Sequence, residues 1–129
     1  MRFILNNLEY VGQYNKKFNE LLGIDIRQED IYKSVGLETH MKKRNHFDCL
    51  KYIKDISDII KNPDYIGINP NEKTQSVELI KIFDNNVLLG LKVDVSAKIL
   101  YVSTMYSIQE SKLQRRIHSG RLIKYEKTD

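Results

Sequence analysis

The run VLLGLKVD at residues 87–94 lies between two similar runs, SVELIKIF at 76–83 and ILYVSTMY at 99–106, and together they decide the fold. In each run, alternate residues are apolar, which is the period of a β-strand with one buried face. The segments Asp84-Asn85-Asn86 and Ser96-Ala97-Lys98 separate the runs and have the composition of short turns. Short turns make consecutive strands neighbours, so the sequence predicts an antiparallel meander.

Two helices are predicted upstream of the meander. The first begins after Ser34, a candidate N-cap with Glu38 in capping position, and Leu37 and Met41 form its buried stripe. Asn45 is expected to end it and to cap a second helix from about His46 to Lys61. Apolar residues at intervals of three and four predict that this second helix is the core helix: Phe47, Leu50, Ile53, Ile56 and Ile60. Pro63 prevents its continuation.

The remaining segments complete an α+β prediction. Residues 1–33 read as a short α/β lead-in that covers one side of the core or adds an edge strand. Residues 64–68 are strand-like, 108–118 predict a C-terminal helix stopped by Gly120, and Leu122-Ile123 returns as a short strand. Helices followed by a meander predict N-terminal helices packed on a roughly four-stranded antiparallel sheet, with a C-terminal helix. We expect a single domain over 1–129, with its core at 34–125.

Composition excludes several classes of protein. A chain of 129 residues, 41% apolar and 29% charged, is typical of one globular domain. The single cysteine, Cys49, cannot form an internal disulfide or a cysteine-based zinc site. No run of 18 apolar residues occurs, and the opening stretch Met1–Asn7 interrupts its apolar run too early for a signal peptide. The expected location is therefore cytoplasmic, without a membrane partner.

The stretch His40-Met41-Lys42-Lys43-Arg44-Asn45-His46 is the first candidate site. On an ideal helix of about 100° per residue, His40, Lys43 and His46 fall within an arc of about 120°, and Arg44 lies about 40° to the other side of His40. Histidine titrates near neutral pH, so one face would combine proton-transfer groups with permanent cations. This combination suits a phosphodiester. The alternative is a solvated basic helix with two surface histidines.

Further candidates break the pattern of the sheet. Lys81 shares a face with apolar residues, either as an inward lysine near a site or as an edge lysine that discourages aggregation. Thr104 and Tyr106 place two hydroxyls on one strand face, although such pairs are usually ordinary strand residues. Arg121 follows Ser119-Gly120, where a sharp turn can present a guanidinium to a phosphate.

Charge is unevenly distributed along the chain. The net charge is +4, and residues 112–127 hold six cations against one acid, Glu126. The cations are Lys112, Arg115, Arg116, Arg121, Lys124 and Lys127. With the basic residues at 42–44, this segment predicts a phosphate footprint if the fold brings the two together.

The pattern argues against three other chemistries. His40 and His46 are six residues apart without an adjacent carboxylate pair, so a catalytic metal is poorly supported and no cofactor is predicted. No nucleophile elbow, Cys-His signature or phosphate-binding Gly-rich loop occurs. Histidine, lysine, arginine, tyrosine and threonine without acidic partners fit metal-independent RNA cleavage, in which the ribose 2′-hydroxyl attacks the adjacent phosphate.

Several motifs in this order resemble the phage-associated branch of the Barnase–EndoU–Colicin–RelE-like nucleases. They are His40-x-x-Lys43-Arg44-x-His46, Pro63-Asp64-Tyr65-Ile66-Gly67-x-Asn69-Pro70, Glu78-Leu79-Ile80-Lys81, Leu100–Tyr106 and Ser119-Gly120-Arg121. The likeness covers roughly 35–125, and the motif from Pro63 to Pro70 is its most specific part. In the family pattern Lys-Arg-His runs without interruption, whereas Asn45 intervenes here, which favours His40 over His46.

The resemblance implies a small metal-independent ribonuclease, often a toxin or effector of prophages and mobile elements that acts on host RNA such as tRNA. It also implies N-terminal helices on a four-stranded antiparallel sheet. A toxin of this kind would act on RNA and could have an antitoxin or immunity protein as a partner, which the sequence does not identify. The catalytic residues that the resemblance implies are His40, His46, Lys81, Thr104 and Tyr106. To these the ribonuclease hypothesis adds substrate-binding Lys43, Arg44, Tyr65, Arg121 and Arg116, with Arg115 as the alternative to Arg116. If the hypothesis is right, His40, Lys81, Tyr106 and Arg121 should converge within about one nucleotide's reach.

Two other functions compete with this hypothesis. The first is a non-catalytic RNA-binding or host-inhibiting protein of a phage, which should tolerate His40→Ala and Lys81→Ala. The second is an accessory protein of a mobile element whose basic face binds DNA, with a steep salt dependence and no RNA products.

Overall fold

A seven-stranded mixed sheet forms the centre of the computed structural model, which describes residues 7–72 and 75–126. Its order is β1-β2-β6-β5-β4-β3-β7. The strands are β1 Leu8–Gln13, β2 Asp30–Ser34, β3 Tyr65–Gly67, β4 Ser76–Ile82, β5 Asn86–Asp94, β6 Ile99–Ile108 and β7 Leu122–Lys124. Neighbouring strands are antiparallel except for β2 and β6, which run parallel through the pairs Ile31↔Leu100 and Tyr32↔Tyr101.

Helices lie on both faces of this sheet. They are α1 Lys17–Leu22, α2 Leu37–Lys43, a 3-10 helix Phe47–Asp55, α3 Ile56–Lys61 and α4 Glu110–His118. The first four supply buried side chains to the main core, where they meet one face of the central strands, including Leu79, Leu89 and Val102. Helix α4 packs on the opposite face, where Leu113 joins Ile80 and Leu88 in a smaller core.

The predicted four-stranded antiparallel sheet is wrong, although the α+β class holds. The meander itself is confirmed, since β4, β5 and β6 pair antiparallel in sequence order. The lead-in, however, contributes two strands, and β2 joins the sheet in parallel against β6. At the other edge β3 pairs with both β4 and β7. These pairings join residues distant in sequence, so a local pattern does not reveal them.

The predicted core helix over 46–61 is also wrong in its form. It divides into the 3-10 helix and the short helix α3, which ends at Lys61 before Pro63. A 3-10 helix has about three residues per turn instead of 3.6, which rotates the buried face. Cys49 and Tyr52 are therefore buried, whereas Phe47, expected in the core, is 56% exposed.

The two predicted N-caps, Ser34 and Asn45, are wrong, whereas Asn45 ends the first helix as predicted. Gly36 is the N-cap residue of α2, and its backbone N–H donates to the Ser34 hydroxyl at 3.0 Å. Arg44 is the C-cap residue, followed by Asn45 with φ +60°, and His46 is the N-cap residue of the 3-10 helix. Left-handed φ is more accessible to asparagine than to most residues, so Asn45 reverses the chain between the two histidines.

The face of the sheet opposite the main core is apolar at one end and polar at the other. Alternate residues of β4, β5 and β6 place Ile80, Leu88 and Ile108 beneath α4. The same strand faces then change to polar or small residues at Ser76, Glu78, Gly90, Lys92 and Thr104. Helix α4 covers only the apolar end, and the polar end forms the floor of an open cleft.

Two of the predictions fall partly outside the described residues. Of the opening stretch Met1–Asn7 only Asn7 is described, and of the basic segment 112–127 all residues but Lys127 are described. Among the described residues, no helix is both long enough and apolar enough to cross a membrane.

Candidate active site

The floor of the cleft is a row of three residues on adjacent strands. Glu78, Gly90 and Thr104 pair across β4, β5 and β6, and the register shifts after Gly90 through a β-bulge. A Cβ atom at Gly90 would lie 2.8 Å from Thr104 Cγ2, so any larger residue here would have to displace the Thr104 side chain. The cavity above this floor has a volume of about 300 Å³, at the lower end of the range of ligand sites.

The wall of the cleft comes from α2 and the turn after it. His40, Arg44 and His46 all line the cavity with Thr104 and Tyr106. The His46 and Tyr106 rings lie 5.4 Å apart, tilted by 35°, so the turn at Asn45 places the imidazole against the strand. There is room for this wall because β2 pairs with β6 at only two residue pairs. The part of β6 after these pairs contacts α2 and the 3-10 helix instead of a neighbouring strand on that side.

The two histidines differ in their surroundings. His40 is exposed on the last turn of α2 and borders a second cavity as well as this one. His46 is half-buried, and its Nδ1 atom is buried with no hydrogen-bond partner among the described residues. An unpaired buried polar atom is costly, which is typical of a functional position.

Cations and hydroxyls complete the lining. Lys92 Nζ lies 3.1 Å from Glu72 Oε2 across the mouth of the cleft, and both side chains are about a third exposed. Ser103 donates its hydroxyl to the Gly90 carbonyl at 3.1 Å, which fixes the bulge. The complete lining is His40, Arg44, His46, Asn69, Glu72, Ser76, Val77, Glu78, Gly90, Leu91, Lys92, Ser103, Thr104 and Tyr106.

Both carboxylates of the cleft are in ion pairs. Glu78 accepts three hydrogen bonds from Arg121, at 3.0–3.1 Å, and lies 3.9 Å from Nη1 of Arg116. Its side chain is only 6% exposed. Two arginines therefore surround one buried carboxylate in the floor and leave a net positive charge there, and Glu72 is paired with Lys92. Within residues 7–72 and 75–126, no group of three His, Cys, Asp or Glu side chains is arranged to hold a metal ion.

Five of the ten predicted site residues line this cleft: His40, Arg44, His46, Thr104 and Tyr106. The other five are elsewhere. Lys81 lies at the far end of β4, where its ammonium donates to the Asn62 carbonyl at 2.8 Å and faces Asp64 at 3.9 Å.

Tyr65 packs against the smaller core, and Lys43 is exposed on α2 without lining the cleft. Arg116 and Arg121 approach the floor only through Glu78. The expected convergence is met by His40 and Tyr106 and not by Lys81 or Arg121.

Sequence reasoning missed Lys92, Ser103 and Asn69. A signal for Lys92 was present, because Leu88, Gly90 and Lys92 alternate along β5 and trace the change of the sheet face from apolar to polar. Ser103 reaches the cleft through the bulge, which breaks strict alternation and hides the residue from a pattern argument. Asn69 comes from the loop after β3. It belongs to the motif from Pro63 to Pro70, which marked the residue but did not show that its loop lies at the mouth of the cleft.

Two histidines, cations and hydroxyls thus line one cleft above an ion-paired carboxylate, a composition that suits an anionic ligand. The sequence model of a family described as phage-Barnase-EndoU-ColicinE5/D-RelE like nuclease3 matches residues 9–115. The chain belongs to this nuclease family, which confirms the resemblance in its motifs. The match starts within β1, so it includes most of the lead-in that the resemblance left out. Searches of curated proteins and of solved structures found no match.

Proposed function

We propose that this nuclease is a metal-independent endoribonuclease. The observation that supports this proposal is the convergence of His40 and His46 with Arg44, Thr104 and Tyr106 in one cleft. In the proposed reaction the ribose 2′-oxygen attacks the adjacent phosphorus and loses its proton to a base. The 5′-oxygen leaves and takes a proton from an acid. The products are a 2′,3′-cyclic phosphate and a free 5′-hydroxyl.

The two histidines are the proton-transfer pair in this proposal. A base and an acid must lie on opposite sides of the reacting phosphate, and each typically contributes about 10²- to 10⁴-fold in rate. His40 from α2 and His46 from the following turn approach the cavity from different backbone positions. His46 is held by the Tyr106 ring, whereas His40 is exposed and accessible to substrate.

Charge and hydroxyl groups surround the place for the phosphate. Arg44 supplies positive charge, Lys92 belongs to the same lining and is the ion-pair partner of Glu72, and Thr104 and Tyr106 supply hydroxyl donors. Removing one donor that stabilises charge on the reacting group typically costs about 10²- to 10³-fold. Metal independence is supported by the ion pairing of both cleft carboxylates, because a magnesium site requires free carboxylate oxygens. Lys81 has no part in this proposal, since it bonds to Asn62 at the other end of β4.

A cleavage assay tests the proposal. Total RNA and tRNA are incubated with the protein and a chelator, comparing wild type, His40→Ala, His46→Ala and His118→Ala. His118 is the matched control because it is exposed on α4, outside the cleft. We expect cleavage by wild type and His118→Ala, and at least 100-fold slower cleavage by the two cleft variants.

A defined oligonucleotide sharpens the result. A 2′-deoxy substitution at the cleaved position should abolish cleavage there, and the products should carry 2′,3′-cyclic phosphate ends. Intact RNA, equal cleavage by wild type and His40→Ala, or cleavage next to the 2′-deoxy sugar would contradict the mechanism.

We also propose that the RNA is a host RNA such as tRNA and that the protein acts as a phage toxin or effector. The support is the phage association in the family's description together with its nuclease assignment. Expression of the wild type should arrest growth and produce tRNA fragments, and His40→Ala should do neither. Equal toxicity of both proteins would contradict the proposal, and rescue by a co-expressed neighbouring gene would reveal an antitoxin or immunity protein.

A further inference from the structure

Three tyrosines form a row across the sheet beside the cleft. Tyr10 on β1 pairs with Tyr32 on β2, which pairs with Tyr101 on β6, and Tyr101 pairs with Lys92 on β5. Residues paired directly across strands point to the same face of a sheet. The row therefore lies on the face that carries the cleft and ends at Lys92 in the cleft lining.

The opposite face of these strands is the main core, which fixes the orientation of the row. Ile31 and Leu100, the neighbours of Tyr32 and Tyr101 along their strands, are fully buried in that core. The tyrosines accordingly point away from it: Tyr32 and Tyr101 are half-buried, and Tyr10 is 51% exposed. The rings of Tyr10 and Tyr32 lie 5.7 Å apart at 75°, so each supports the position of the other.

A second cavity connects the row to the cleft. It has a volume of about 360 Å³ and shares His40, Lys92 and Ser103 with the cleft. Its remaining lining is Ser34, Gly36, Leu37, Tyr101 and Val102, which includes an aromatic residue, two apolar side chains and no carboxylate. A concave site of this kind, next to cations, suits a flat apolar ring with polar edges.

We propose that the tyrosine row, Tyr10, Tyr32 and Tyr101, is a stacking platform for unpaired bases of RNA that flank the scissile phosphate. This inference rests on the proposed ribonuclease function and names its substrate class as single-stranded RNA. Aromatic residues on adjacent strands of a sheet are a common way to bind two or three unpaired bases. Adjacent strands are about 4.8 Å apart, so the row extends the site by about 14 Å from Lys92 to Tyr10.

Charged side chains on the same face indicate on which side of the tyrosine row the sugar–phosphate backbone lies. By alternation along their strands, Asp30 and Asp94 lie on this face on the side of the row away from the cleft. Ser34 and Ser103 lie on the other side, towards His40. Carboxylates repel phosphates, so the sugar–phosphate backbone is expected to follow the serine side while the bases lie over the rings.

A binding measurement tests the platform without requiring cleavage. The probe is a fluorescently labelled, single-stranded 2′-O-methyl octanucleotide, which has no free 2′-hydroxyl to attack, and binding is followed by anisotropy. The proteins are wild type, Tyr10→Ala, Tyr32→Ala, Tyr10→Phe and Leu21→Ala. Leu21 is a matched control because it is 50% exposed, close to the 51% of Tyr10, but lies on α1 outside both cavities.

We expect Tyr10→Ala and Tyr32→Ala each to weaken binding by about 5- to 150-fold, the usual effect of losing one stacked base. Tyr10→Phe and Leu21→Ala should bind within about twofold of wild type, because phenylalanine keeps the ring. A duplex of the same length should bind without dependence on Tyr10. If Tyr10→Ala does not fold, Tyr10→Leu replaces it, since it keeps apolar contact with Tyr32 but offers no ring.

Three results would overturn the platform: unchanged binding by the alanine variants, equal loss in Tyr10→Phe, or the same tyrosine dependence with duplex RNA. Failure of the proposed function is separate. A protein that cleaves no RNA but binds the probe through Tyr10 would contradict the ribonuclease and support the platform. His40-dependent cleavage with tyrosine-independent binding would overturn the platform alone.

Discussion

Replacing Arg121 with alanine tests whether this arginine supports the cleft floor or binds substrate. Arg121 donates three hydrogen bonds of 3.0–3.1 Å to Glu78, whose side chain is 6% exposed. Removing one partner of a buried ion pair costs about 3–5 kcal/mol, because the other charge is left uncompensated. Arg121 is 21% exposed and Arg116 stays 3.9 Å from Glu78, so we expect the lower end, about 3 kcal/mol.

Urea unfolding of wild type, Arg121→Ala and Arg115→Ala measures this loss. Arg115 is the control because it is exposed on the same helix as Arg116 and should change the free energy of unfolding by less than about 0.5 kcal/mol. The denaturant slope should stay constant, so that the change in midpoint reports stability alone.

The sequence hypothesis for Arg121 predicts a different result. If its guanidinium neutralised the substrate phosphate, Arg121→Ala would raise KM for RNA and leave the stability near that of wild type. A loss below about 1 kcal/mol, the usual value for an exposed ion pair, would refute the reasoning from the buried pair.

Three further predictions concern the floor, the core and Lys81. Gly90→Ala places a Cβ atom 2.8 Å from Thr104 and should cost about 1–3 kcal/mol in urea unfolding and slow cleavage; unchanged stability and rate would contradict the tight floor. Burial raises the pKa of the Cys49 thiol to about 12. The Cys49 thiol of the folded protein should therefore resist labelling at pH 8, whereas the unfolded chain should react. The free energy of unfolding should fall as the pH rises above the ordinary pKa of a thiol, because there only the unfolded state ionises. Lys81→Met removes the hydrogen bond to the Asn62 carbonyl, so it should lower the melting temperature and leave the cleavage rate within about twofold of wild type. A 100-fold loss of cleavage would instead show that Lys81 takes part in the reaction.

Local patterns predicted the parts of the fold that local interactions determine. The meander was predicted because alternation in β4, β5 and β6 reports burial directly, and short turns leave few pairings open. The parallel pairing of β2 with β6 joins residues almost 70 positions apart, and it rests on two residue pairs that no periodicity marks. The 3-10 helix was missed because an apolar spacing of three and four fits both kinds of helix.

The candidate site divides in the same way. His40 and Arg44 were found because both lie at the C-terminal end of α2, whereas His46 joins them through the turn at Asn45, which the helical spacing did not predict. Lys81 and Arg121 were assigned by charge alone, and each has a partner from a distant segment: the Asn62 carbonyl for Lys81 and Glu78 for Arg121. A free cation and a paired one look identical in a sequence, which is why these two assignments required the structure.

The ion pairs of Glu78 with Arg116 and Arg121 also indicate which part of the chain is needed to form the cleft. The family match ends at residue 115, whereas Arg116 and Arg121, which neutralise Glu78, follow it directly. β7 then closes on β3, where a Cβ atom at Gly67 would lie only 2.2 Å from the Arg121 carbonyl oxygen. The pairing of Gly67 with Leu122 holds the neighbouring backbone of Arg121 against the sheet, and the Arg121 side chain reaches Glu78 from there. Without the segment after 115, Glu78 would stand as an uncompensated anion in a cleft proposed to bind phosphate. The segment beyond the match is therefore required to make the floor electrostatically compatible with the substrate.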